Sequence, residues 1–209
     1  MINTDAIERI APEKLHDPDM LASIEREVLA LTNEDDRNSV GYLLATRLIT
    51  EGNLERAEFF TRLMEAWPIE RTWFLGDIAA KLWQSSQKEQ ALRLLNEATS
   101  IARTDGSGSE WQRAEALSKI ATHLLELGQC AQAIGLLREA AQIAQLGQEQ
   151  CDVQDSLDSA SVIGELAEKL ALAGDYQQAR EIVDSIKYQV RRERVAHKIQ
   201  AIIKGMSKL

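Results

Sequence analysis

Residues 166–179 read LAEKLALAGDYQQA, and three earlier stretches share their skeleton: LATRLITEGNLERA (44–57), IAAKLWQSSQKEQA (78–91) and IATHLLELGQCAQA (120–133). Each has an aliphatic residue, an alanine next to it, a leucine three positions on, then a small residue, then a second alanine. The shared slots are Ala45, Ala79, Ala121 and Ala167; Leu48, Leu82, Leu124 and Leu170; and Ala57, Ala91, Ala133 and Ala179. The first part of each block puts its apolar residues on one helical face. The small residues Gly52, Ser86, Gly128 and Gly174 stand where a helix must stop, and glycine accepts the left-handed backbone that such a stop uses. A second helix follows with its own stripe: Ala57, Phe60, Thr61 and Met64; Ala91, Leu94, Leu95 and Ala98; Ala133, Leu136, Leu137 and Ala140; Ala179, Ile182, Val183 and Ile186. Spacings of three, four and seven mark one buried face. Asn53 and Asp175 are placed to cap the second helix. Each unit is therefore expected to be a helical hairpin with a tight turn.

Composition agrees. The 209 residues include only 3 prolines, all by position 68, and 5% aromatics. An alanine-rich chain with so few helix breakers argues for an all-α protein and against a β-sandwich, a barrel or a disulfide scaffold. Outward from the blocks, Asp17-Pro18-Asp19 opens a helix near 18–32, and residues 4–15 are expected to form a short one. Val195 to Ile199 begin a further first helix that would cover the last apolar face. Ser109 with Gln112 fits a capping box. About eleven helices are expected. Residues 1–33 read as an N-terminal helical cap, and 34–209 as an array of about four hairpins with a C-terminal capping helix.

These blocks resemble the tetratricopeptide repeat (TPR), and Gly174-Asp175-Tyr176-Gln177-Gln178-Ala179 is close to that family's turn and second-helix start. The resemblance covers roughly residues 38–204. Only the first interval between turn residues matches the usual period of about 34; the later ones are longer, through the polar connections at 104–109 and 147–153. The resemblance implies a right-handed α-α superhelix, a solenoid of antiparallel hairpins whose first helices line a concave groove. It implies inward positions that include Tyr42, Thr46, Ile49, Trp73, Trp83, Leu125, Glu126 and Glu168. The N-terminal part of that set is aromatic and apolar, which suits docking of a helix or extended peptide. The alternative is that Trp73 and Trp83 pack against neighbouring helices. The inward slots lack the Lys, Arg and Asn of the subclass that grips terminal carboxylates.

The expected function is a non-catalytic protein–protein interaction module, a scaffold or adaptor with a protein or peptide partner. Self-association into a homo-oligomer is the alternative. The net charge of -9 opposes wholesale binding of nucleic acid. A basic stretch from Lys187 to Lys208 runs against it; Arg191, Arg192 and Arg194 form a secondary basic patch, or else a solvated helix face. No apolar run reaches membrane length, the first residues lack the charged and apolar regions of a secretory leader, and two cysteines suit a reducing compartment, so a cytoplasmic location is expected. Cys130 is expected to be buried and Cys151 to lie in a loop. No nucleophile, phosphate-loop or dinucleotide motif occurs, and His16, His123 and His197 have no metal-ligand spacing, so neither an enzyme nor a cofactor or metal is expected. The acids Glu34, Asp35 and Asp36 suit a helix N-terminus better than a metal site.

Overall fold

The computed structural model describes residues 3–104, 109–150 and 153–206, the side chains of 148–150 and 153–159 excepted. These residues form eleven α-helices and one 3-10 helix, and among them there is no strand. The helices are α1 (Thr4–Glu8), the 3-10 turn (Pro12–His16), α2 (Pro18–Leu29), α3 (Glu34–Glu51), α4 (Leu54–Arg62), α5 (Pro68–Gln84), α6 (Lys88–Thr104), α7 (Glu110–Glu126), α8 (Cys130–Gln150), α9 (Val153–Leu172), α10 (Tyr176–Asp184) and α11 (Gln189–Met206).

The four turns are built alike. Among the described residues the left-handed backbone occurs at Gly52 (φ 80°), Ser86 (65°), Gly128 (75°) and Gly174 (90°), and nowhere else. At each, the left-handed residue donates to the carbonyl three residues back, and its successor donates to the carbonyl five back. The second bond runs from Asn53 to Leu48 (2.9 Å), Gln87 to Leu82 (2.9 Å), Gln129 to Leu124 (2.8 Å) and Asp175 to Leu170 (2.9 Å). This is the Schellman arrangement, which satisfies carbonyls that a helix end leaves open. The amides of Ala57, Ala91, Ala133 and Ala179 then return to Asn53, Gln87, Gln129 and Asp175, so every second helix starts at the same distance from its turn.

The chain divides into two compact units, Met1–Ile101 and Ala102–Leu209. In the first, α3 packs on α4, α4 on α5, and α3 also on α5. In the second, the pairs are α7 with α8, α8 with α9, α9 with α10 and α10 with α11, with α7 against α9 and α9 against α11. Within each unit, then, these successive helices pack on one another, and so do the first helices α3 and α5 of the first unit and α7, α9 and α11 of the second. The shared alanine and leucine slots and all four second-helix stripes are buried. Glycine allows the closest approaches: a Cβ on Gly41 would stand 3.2 Å from both the Phe60 carbonyl and Met64, and one on Gly164 would stand 3.0 Å from Val195.

The N-terminal segment is anchored to the first hairpin. The Arg47 guanidinium donates to the carbonyls of Ile7 and Ile10, and Ile7 and Leu15 are fully buried. Asp17 caps α2, accepting from the Asp19 amide at 3.0 Å. Asn33 caps α3, whose first turn carries Glu34, Asp35 and Asp36. Gln112 accepts from the Ser109 amide at 3.0 Å, as the capping box requires.

Two expectations need correction. Asn53 does not cap α4 with its side chain; its Nδ2 donates instead to the Leu15 carbonyl at 3.3 Å. Cys130 is exposed rather than buried, because it opens α8 three residues before the first buried position, Ala133. Residues 147–150 belong to α8, so that connection is shortened by a longer helix. Cys151, and residues 105–108 of the other polar connection, lie outside the described residues.

Candidate partner-binding surface

Within the first unit, Tyr42 and Thr46 project from α3 and Trp73 and Trp83 from α5. Tyr42 is 40% exposed. Its ring meets Phe74 edge-on at 5.0 Å between centroids and Trp67 at 6.2 Å. Edge-to-face contacts of this kind fix ring orientation, so one face of a rigid aromatic group stays open to solvent. Thr46 is exposed, but its hydroxyl donates to the Tyr42 carbonyl at 2.8 Å, and the Thr50 hydroxyl to that of Thr46 at 3.0 Å. These threonines offer methyl groups and an acceptor lone pair; their protons are used by the helix. Ile49 is buried and presents almost no surface. Trp73 and Trp83 are partly buried. The Lys88 ammonium sits 5.1 Å from the Trp83 ring centre, a cation–π contact across the turn. The anchored N-terminal segment leaves Tyr42 and Thr46 uncovered.

The second unit presents a different surface. Here the first helices are cross-linked by polar side chains. Lys169 on α9 donates to the Ser118 hydroxyl on α7 at 2.7 Å. Arg191 on α11 donates to Ser161 on α9 at 3.1 Å, and Lys198 to Glu168 at 2.9 Å. Burial lowers the pKa of Lys169; the nearby Lys119 works in the same direction, while Glu165 and Glu115 oppose it. Leu125 is partly exposed, and Glu126 is exposed with Oε2 3.7 Å from His123 Nδ1. Of the basic patch, Arg191 is committed to Ser161, Arg192 reaches the Ile186 carbonyl at 3.5 Å, and Arg194 is exposed.

Sequence reasoning missed the ion pairs that tie second helices together. In the first unit, Arg62 on α4 binds Glu97 on α6 through two bonds of 2.6 and 2.8 Å, and also Glu58 at 2.9 Å. Glu58 accepts from Arg93 at 3.0 Å, and Arg56 pairs with Glu25 of α2. Burial alone would raise the Glu58 pKa, but Arg62 and Arg93 outweigh it and hold the carboxyl below its ordinary range. The second unit has Arg103 on Glu139 and Arg138 on Asp175. Opposite charges one repeat apart were the available signal.

Among the described residues there is no cluster of His, Cys, Asp and Glu able to hold a metal, and no helix long and apolar enough to cross a membrane. No protein-family model matches the sequence, and no curated protein does. The crystal structure of Ton1535 from Thermococcus onnurineus NA1 is similar in fold, with a TM-score of 0.56 and 20% sequence identity. The match covers 90% of this chain and 55% of that one, so this chain spans about half the length of its structural neighbour.

Proposed function

We propose that the protein is a non-catalytic interaction module of the tetratricopeptide-repeat type, whose hairpins follow a right-handed superhelical course and whose first helices receive a partner protein. The observation that carries this is the set of four turns. They repeat one backbone geometry, one hydrogen-bond pattern and one set of buried slots at the four positions where the sequence blocks align. A stack of such hairpins places its first helices side by side, and that surface is rigid before any partner arrives, which lowers the ordering cost of binding.

Within that surface the Tyr42–Phe74–Trp67 cluster and Trp83 supply the contact. Tyr42, Trp67 and Trp83 are large and at least partly exposed, the combination that dominates protein interfaces, while the buried Phe74 holds the Tyr42 ring edge-on. The second unit's first helices are already joined by polar bonds, so they contribute less apolar area. Affinity capture from native lysate tests this, comparing wild type with Tyr42→Ala/Trp83→Ala that retains its helicity and melting temperature. A protein recovered with wild type and lost with the variant supports the proposal. Identical recovery by both would remove these aromatics from the interface.

A further inference from the structure

The groove between α10 and α11 differs from its counterparts inside the chain. Within each unit, one such groove between a second helix and the following first helix is covered by the next second helix. The α4/α5 groove is covered by α6, whose Glu97 reaches both Arg62 of α4 and Arg71 of α5. The α8/α9 groove is covered by α10, with Arg138 on Asp175 and Gln145 donating to Ser185 at 2.9 Å. Over α10 and α11 no described helix lies, and the space is a cavity of about 350 Å³. Arg180, Val183 and Asp184 line it from α10, and Ala196, Ile199 and Ile203 from α11. On α11 the buried residues are Val195 and Ile199 alone, while Ala196 is exposed and Ile203 partly so.

We propose that this groove is the seat of an amphipathic helix from a partner protein, which completes a further hairpin with α11. The chain's own second helices define the apolar stripe that fits: Ala-x-x-Leu-Leu-x-x-Ala, as in α6 and α8. Charge defines the rest. Arg180 follows Ala179 as Glu58 follows Ala57, and Glu58 receives Arg93, two residues after the first alanine of the covering stripe. Asp184 occupies the slot of Arg62, which receives Glu97, six residues after that alanine. Both signs are reversed at α10. The incoming helix therefore carries a carboxylate at the first position and a cation at the second. A second copy docking through its own α11 is opposed by charge, since α11 holds five cations against one carboxylate.

The test uses the full chain and two fluorescein-labelled peptides of residues 88–104. One has the native sequence; the other carries R93E and E97K. Fluorescence anisotropy is expected to show saturable binding of the exchanged peptide, about fivefold tighter than the native one, as two rim ion pairs allow. The protein variant R180E/D184K, altered at two exposed positions, is expected to reverse that preference. A196R, also at an exposed position, is expected to weaken both by about tenfold or more. Absence of saturable binding, a preference that R180E/D184K leaves unchanged, or a dimer in light scattering that A196R abolishes would each overturn the proposal. The last result would make a second copy the occupant.

Discussion

Ser86 occupies a slot that is glycine in the other three turns, and it is the only non-glycine residue with positive φ among those described. For an L-residue the left-handed conformation costs roughly 1–2 kcal/mol. Glycine avoids that cost but has more freedom to lose on folding, roughly 0.5–1 kcal/mol. Ser86→Gly is therefore expected to stabilise the protein by about 0.5–1 kcal/mol. The opposite change at an equivalent turn, Gly128→Ala, should destabilise it by about the same amount. Packing does not complicate the comparison, because a Cβ at Gly128 meets nothing within 4 Å and Ser86 is exposed. Urea unfolding followed by circular dichroism reads both changes, with the midpoint moving and the slope constant. If Ser86→Gly lowers the midpoint, or Gly128→Ala leaves it unmoved, backbone handedness does not govern the turns and the equivalence of the four fails.

Arg62→Gln leaves the Glu58 and Glu97 carboxylates without their shared cation and should cost about 1 kcal/mol at neutral pH, discounted for the partial exposure of the arginine. Because the folded Glu58 pKa is depressed, its contribution is complete above its ordinary value near 4.5 and is lost as pH falls through the lower, folded value. Urea midpoints measured in acid should therefore converge for wild type and Arg62→Gln, and a gap that persists would contradict this. Gly164→Leu forces a side chain into the space held by Val195 and should cost about 1–3 kcal/mol, with amide exchange accelerated first in α9 and α11. Lys169→Met removes a cation that burial disfavours. Wild type should gain stability on it as pH rises from the lowered, folded pKa toward the ordinary lysine value of 10.5, and the variant should lack that rise.

Much of the fold was legible because it rests on local signals. Gly52, Gly128 and Gly174 declare a backbone conformation that few other residues take, and the Ala-Leu slots declare a period. Ser86 was legible only through alignment with the other blocks. Features set by neighbours were harder to see. An offset from the turn tells which way the Ile49 Cβ points, but not that adjoining helices cover it. Asn53 has the chemistry of a cap, yet the Leu15 carbonyl of the N-terminal segment claims its amide, a contact between residues far apart in sequence. Cys130 follows a turn glycine closely, but it lies three residues before the first buried position of α8, Ala133. The ion pairs needed knowledge of which second helices face one another. Phe74 and Trp67 entered the candidate surface only through their contact with Tyr42.

Site-specific photo-crosslinking in the cells that make the protein tests the central claim most directly. Tyr42→p-benzoylphenylalanine places the probe at the exposed aromatic position of α3, and Glu55→p-benzoylphenylalanine places it at an exposed position of α4. The account predicts a discrete protein adduct from position 42 and none from position 55. Adducts from position 55 with none from 42 would contradict it, and would move the interaction to the second-helix surface.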